Sequence, residues 1–134
     1  MKRYKLILMG CILSFFTLLF CKNPTKPENH APLILSLKVF PEVINLSDSV
    51  IVICEAKDID GDTLVYDWIT DSRLRIKGSQ YSWLYHTSEN TRIFYPTSSV
   101  NLPVDTVWVQ CGVRDVKGGS DRQVIRFVVK EELD

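Results

Sequence analysis

Histidine is scarce, with only two in 134 residues, and charge of either sign is in balance, with 16 lysines and arginines against 16 aspartates and glutamates. Without a basic surplus the chain lacks the electrostatic footprint of a nucleic-acid binder. The four cysteines, Cys11, Cys21, Cys54 and Cys111, include no C-x-x-C pair, and neither His30 nor His86 neighbours one of them in sequence, so zinc-type ligand spacing is absent. No serine sits in a Gly-x-Ser-x-Gly elbow, and His86 is the single histidine outside a proline-rich stretch that could serve as a base. Sustained 3.6-residue periodicity is missing as well, which argues against a helical domain. The apolar content, 46%, is too high for a disordered chain.

What is present divides into three blocks. Residues 1–21 open with Met1-Lys2-Arg3-Tyr4-Lys5 and continue apolar from Leu6 to Phe20, interrupted only by Gly10, Cys11, Ser14 and Thr17. A basic start followed by an apolar run too short for a membrane span has the form of an export signal. The run ends at Leu18-Leu19-Phe20-Cys21, followed at once by Lys22-Asn23-Pro24. This resembles the lipobox of bacterial lipoproteins, in which the cysteine becomes the lipid-bearing first residue, and the resemblance implies lipid attachment at Cys21. Phe20 stands where that motif has a small residue. Leu8-Met9-Gly10-Cys11 fits the four positions better but leaves an apolar run of only about five residues, short for a signal. The implied location is the cell envelope, held to a membrane.

Residues 22–32 are polar and carry Pro24, Pro27 and Pro32. Such a run prefers extended geometry, about 3.1 Å per residue, and eleven residues would hold a domain roughly 30 Å from a lipid surface. His30 is expected there as a solvated linker residue. Beyond residue 21 the chain has 13 basic and 16 acidic side chains.

Residues 33–131 form the third block and read as strands throughout. β-Branched and aromatic runs at 33–40, 49–56, 63–70, 73–77, 80–86, 91–95, 106–114 and 122–130 are separated by turn residues, among them Asp60-Gly61, Gly78-Ser79 and Gly118-Gly119. Seven or eight short strands at this spacing predict an all-β, antiparallel two-sheet sandwich. A sandwich of roughly 100 residues offers no deep cleft. Carboxylate pairs of the kind that hydrolyse glycosides therefore find no obvious home, and the expectation is that the chain is not an enzyme.

Cys54, Trp68 and Cys111 follow one another on the second, third and seventh of these runs. The order resembles an immunoglobulin domain, where a disulfide between the sheets packs on a tryptophan. Two buried free thiols are the alternative, since a thiol packs well as a small apolar group. The likeness extends to Asn29-His-Ala-Pro32, to Ala56-Lys-Asp58-Ile-Asp-Gly-Asp-Thr-Leu-Val-Tyr-Asp-Trp68 and to the Val107–Gly119 hairpin. Together these resemble a PKD-type, Ig-like domain of bacterial surface proteins across residues 29–130. The resemblance implies a binding or spacing module, with protein partners at the envelope as the expectation.

Three surface features are candidates for function. Asp58, Asp60 and Asp62 alternate around Gly61 and could converge on calcium, a hard cation that takes six to eight oxygens. The alternative is a turn in which Gly61 supplies a positive φ and the carboxylates accept local N–H groups. Asp115, before the second hairpin turn, is not enlisted. Strand alternation from Cys111 sends Val65, Ile69, Trp108, Val124 and Val128 to the outer face of one sheet, where they would form a contiguous apolar partner surface rimmed by Asp67, Arg126 and Lys130, unless a tether or loop covers it. Tyr81, Trp83 and Tyr85 share a face at i, i+2 and i+4. They either fill the core or stand exposed as a carbohydrate platform.

Overall fold

The computed structural model describes residues 27–80 and 83–131. The expected signal segment, with Cys11 and Cys21, and the aromatic Tyr81 lie outside the described residues. Among the described residues the chain is all β, and no helix is long and apolar enough to cross a membrane. The strands are β1 Leu33–Phe40, β2 Val43–Asn45, β3 Val50–Lys57, β4 Val65–Thr70, β5 Leu74–Ile76, β6 Leu84–Thr87, β7 Thr91–Pro96, β8 Val104–Arg114 and β9 Ser120–Lys130.

They form two sheets, ordered β1-β3-β7-β5 and β2-β9-β8-β4-β6. Every pairing is antiparallel except β2 with β9. Most expected runs reappear with changes of one or two residues at their ends, the 80–86 run is cut back to β6 Leu84–Thr87, and no expected run corresponds to β2. Its cause is Pro41, which has no N–H for the ladder with β3. The chain leaves the first sheet there and pairs Val43, Ile44 and Asn45 with Val128, Val129 and Lys130 of the second. A three-residue strand is too short to show a period of two.

The core follows from alternation. On β8 Val107, Val109, Cys111 and Val113 are buried, and on β4 Tyr66 and Trp68. From the other sheet come Val50, Val52 and Cys54 of β3 and Phe94 of β7. Trp68 bridges the layers, its ring edge-on to Phe94 with centroids 6.0 Å apart and planes at 61°. Burying such rings dominates a small core, since each removes some 150–250 Å² from water.

Trp68 stands directly opposite Cys111 across the β4–β8 ladder, and Cys54 lies in the facing sheet. Both cysteines are buried free thiols, so the disulfide implied by the Ig resemblance is not formed in this structure. Cys111 Sγ donates weakly to the Gly112 carbonyl at 3.8 Å, and the neighbouring Cys54 thiol, then burial, push the Cys111 thiol well above its ordinary range.

A second polar cluster ties the sheets at the end where β4 finishes. Arg73 donates to both carboxylate oxygens of Asp71, from Nε at 2.9 Å and Nη2 at 2.5 Å, and from Nη1 to Asp105 at 2.6 Å. Asp71 is 6% exposed, and the Arg73 guanidinium beside it holds its carboxyl below the ordinary carboxylate range. Buried charge survives only with such full pairing.

Candidate functional site

One end of the sandwich gathers three segments: the incoming chain at 29–31, the β3–β4 turn and the β8–β9 turn. Asp58 organises its turn from within. Its Oδ1 accepts the backbone N–H groups of Asp60 at 2.8 Å and Asp62 at 3.3 Å, and Gly61 takes φ 75°. Asp60 is engaged by the incoming chain, accepting from the His30 backbone N–H at 2.7 Å, with His30 Nδ1 at 3.1 Å from its other oxygen. The His30 N–H holds the Asp60 carboxyl below its ordinary range. Asp62 faces Lys117 Nζ at 2.9 Å, and this carboxylate raises the lysine above its usual value.

Asp115 completes the cluster. It accepts from Asn29 Nδ2 at 2.9 Å and from the backbone N–H groups of Lys117 and Gly119 at 2.7 and 2.9 Å, and the Asn29 bond leads in lowering its pKa. His30 keeps the solvent exposure expected of it, but it is bonded to Asp60 rather than running free in a linker, and Asp115 lies at the same end as Asp58, Asp60 and Asp62. Sequence separation hid both contacts, since Asn29 and Asp115 are 86 positions apart. The close passage also requires Gly119. A Cβ there would sit 2.4 Å from Asp115 Oδ2 and 2.7 Å from the Ala31 Cα.

The cluster can be tested against the expected calcium. One oxygen each of Asp58, Asp60 and Asp62 lies within 4.8 Å of the others, and Asp58 Oδ2 and Asn29 Oδ1 are buried without a hydrogen-bond partner. Those are donors a hard cation accepts. However, Lys117 already faces Asp62 and His30 already binds Asp60, so the clamp carries its own basic partners.

The second site is the outer face of β4, β8 and β9. Ladder register arranges it in rows. Val65 stands opposite Arg114 on β8, Asp67 opposite Gly112, and Ile69 opposite Gln110. On the β9 side Gly112 faces Arg122, Gln110 faces Val124, Trp108 faces Arg126 and Thr106 faces Val128. The five apolar residues expected to be contiguous are therefore divided. Ile69, Trp108, Val124 and Val128 occupy neighbouring rows, extended by Val43 beside Val128. Val65 is cut off by the row of Asp67, Gly112 and Arg122. Asp67 has a polar partner on both sides, Arg114 Nε at 2.8 Å and His86 Nδ1 at 2.5 Å, so this row is a polar partition. His86, expected as an ordinary strand-end residue, is thus a hydrogen-bond partner of Asp67.

Trp108 is half-buried rather than freely exposed, and it shares its row with Arg126. The missing side chain at Gly112 leaves an open depression of about 560 Å³ over the sheet, lined among others by Asp67, Ile69, Gln110, Arg114 and Arg122.

Of the aromatic triplet, the two described members differ in setting. Trp83 precedes β6 and is 52% exposed, whereas Tyr85 is half-buried against the core with the Arg92 guanidinium 4.3 Å above its ring. The strand begins only at Leu84, so the alternation expected from residue 80 onward does not extend back to Trp83.

No family model matches the chain, and no curated protein matches it. Among solved structures it is similar to a nucleoside hydrolase-related hypothetical protein from Saccharophagus degradans that is associated with carbohydrate metabolism, at 18% identity and a TM-score of 0.48. The match covers 78% of this chain and 26% of that one, so the chain spans about a quarter of that protein. The expectation that the chain is not an enzyme is withdrawn as a correction, because the neighbour's description is hydrolase-related. At that TM-score the likeness assigns this chain neither an activity nor a substrate.

Proposed function

We propose that this chain is a lipoprotein of a bacterial cell envelope, anchored through Cys21, whose PKD-type, Ig-like sandwich makes protein–protein contacts or sets spacing. The observation that carries this reading is the outer face of β4, β8 and β9, where Ile69, Trp108, Val124 and Val128 share adjacent rows within a charged rim. Apolar groups ringed by polar ones mark partner surfaces. Because Asn29 and His30 are clamped to the sandwich, they do not belong to the spacer expected over residues 22–32, which is shortened at its C-terminal end. In an oxidising compartment a thiol–disulfide exchange partner in its disulfide form could take the two electrons and two protons of the buried Cys54 and Cys111 and leave them as a disulfide.

The experiment is site-specific photo-crosslinking in cells. A benzoylphenylalanine at Val124 is expected to give a discrete protein adduct, and one at Ile59, exposed on the clamp end, is not. Absence of an adduct at Val124, or equal adducts at both, refutes the partner face. A second reading, carbohydrate binding, draws on the exposed indole of Trp83 beside Tyr85. It requires that Trp83→Ala abolish retention on immobilised envelope glycans while the Val124 adduct persists.

A further inference from the structure

The outer side of β9 has a composition that partner contact by apolar groups alone does not require. Its outward residues are Arg122, Val124, Arg126, Val128 and Lys130, a strict alternation of cation and valine. Arg122, Arg126 and Lys130 are exposed, and none of them forms an ion pair among the described residues. Elsewhere among the described residues Lys38, Arg73, Arg92, Arg114 and Lys117 each hold a carboxylate, whereas Lys57, Arg75 and Lys77 do not; what sets the β9 cations apart is their regular alternation with valines on one face, in a chain whose acids outnumber its bases beyond residue 21.

Asp67, on the same outer face, cannot serve the three, because Arg114 and His86 take its two oxygens. Asp121, beside Arg122, is also spoken for. Its Oδ2 accepts the Ile34 N–H at 2.8 Å and its Oδ1 the Arg122 backbone N–H at 2.7 Å. The cations recur every fourth residue along the strand, about 13 Å apart. Val128 continues sideways into Val43, Ile69 lies beyond Gln110 in the row of Val124, and Trp108 occupies the row between the two valines, opposite Arg126.

We propose that this stripe is the docking surface for an acidic protein segment, one that alternates carboxylates with apolar side chains and lays the carboxylates on Arg122, Arg126 and Lys130. The inference rests on the partner-face reading above and adds the partner's chemistry. Charge complementarity selects the occupant. Three cations with no ion pair among the described residues want carboxylates, and the valine and tryptophan steps between them want apolar groups at the same interval. A charge-only polymer would satisfy half of this surface. The charges contribute mainly encounter rate and register, and the apolar steps contribute residence.

The test uses the full-length chain in nonionic detergent, immobilised and probed with a synthetic peptide of about twelve residues alternating Glu and Val. Comparison probes are the Lys–Val peptide, poly-L-glutamate, polygalacturonate and phosphatidylglycerol vesicles. The expected result is binding of the Glu–Val peptide that weakens steeply with salt and falls at least tenfold in Arg122→Ser/Arg126→Ser/Lys130→Ser. Poly-L-glutamate is expected to bind more weakly, and the Lys–Val peptide not at all. Trp108→Ala should lower affinity while leaving the salt dependence in place. Failure of the Glu–Val peptide to bind overturns the proposal, as does binding unaffected by the triple substitution. Stronger binding of the vesicles or of polygalacturonate overturns it in favour of a lipid or glycan surface. A triple variant that keeps full binding but self-associates would make the cations guards of the strand against aggregation, and also overturns it. If the Val124 photo-adduct survives the triple substitution undiminished, the partner face stands and the acidic occupant is wrong. If no adduct forms in the unsubstituted protein, the face itself is wrong.

Discussion

Trp68 and Trp108 are two residues of one type on adjacent strands, and their substitution by alanine separates core from surface. Trp68 is fully buried, edge-on to Phe94 and opposite Cys111. Truncating a buried tryptophan costs about 3–5 kcal/mol through lost transfer energy and the void left behind. One feature of this site moderates the figure. The Trp68 Nε1–H is buried without a partner, and an unmet donor costs about 1–3 kcal/mol that truncation recovers. Trp68→Ala is therefore expected near the lower end, about 3 kcal/mol. Trp68→Phe keeps most of the ring and removes the orphan donor, so it should cost under about 2 kcal/mol. Trp108 is half-buried on the outer face, and its truncation should cost about 1 kcal/mol. At roughly 4–8 °C per kcal/mol for a domain of this size, Trp68→Ala lowers Tm by at least about 12 °C and Trp108→Ala by well under 10 °C. Urea and thermal melts followed by far-UV circular dichroism measure both. Equal destabilisation by the two alanines would refute the face assignment of β8. A Trp68→Phe variant as unstable as Trp68→Ala would refute the claim that the indole N–H is a net cost.

The clamp at the chain's entry gives a steric prediction. Gly119→Ala sets a methyl against Asp115 and the Ala31 backbone, and should lower Tm more than Gly118→Ala, where φ is +102° but the space is open; the reverse order in thermal melts would count against the clamp. Acid titration is the third prediction. The folded pKa values of Asp60, Asp71, Asp105 and Asp115 are depressed, so the folded state resists protonating these groups while the unfolded chain takes up protons near pH 4. Their stabilisation is present above that pH and is lost as pH falls through the lower folded values. Tm should hold from neutral pH to about 5 and fall below about 4, less steeply in Asp71→Asn; a Tm that rises on acidification would contradict the sign. Finally, Cys21→Ala is expected to abolish incorporation of labelled palmitate in cells, and continued labelling would move the lipid site to Cys11.

The sequence by itself determined most of what depends on neighbours along the chain. A period of two, broken by Gly, Pro and Asp, located β1, β3, β4, β7, β8 and β9, because a half-buried strand must alternate. The same alternation sent Val107, Val109, Cys111 and Val113 inward and Trp108, Val124 and Val128 outward, since a one-residue slip would reverse every one of them. What only the tertiary structure decided depends on register and on meetings of distant segments. Alternation placed Val65 on the partner face, but it took ladder register to set the Asp67–Gly112–Arg122 row between Val65 and Ile69. No local signal joins Asn29 to Asp115, His30 to Asp60 or Arg73 to Asp105, because hydrogen bonds across 30 to 86 positions have no periodicity. The parallel strand β2 belongs with them: three residues after a proline show no alternation, and their partner Val128–Lys130 lies at the far end of the chain.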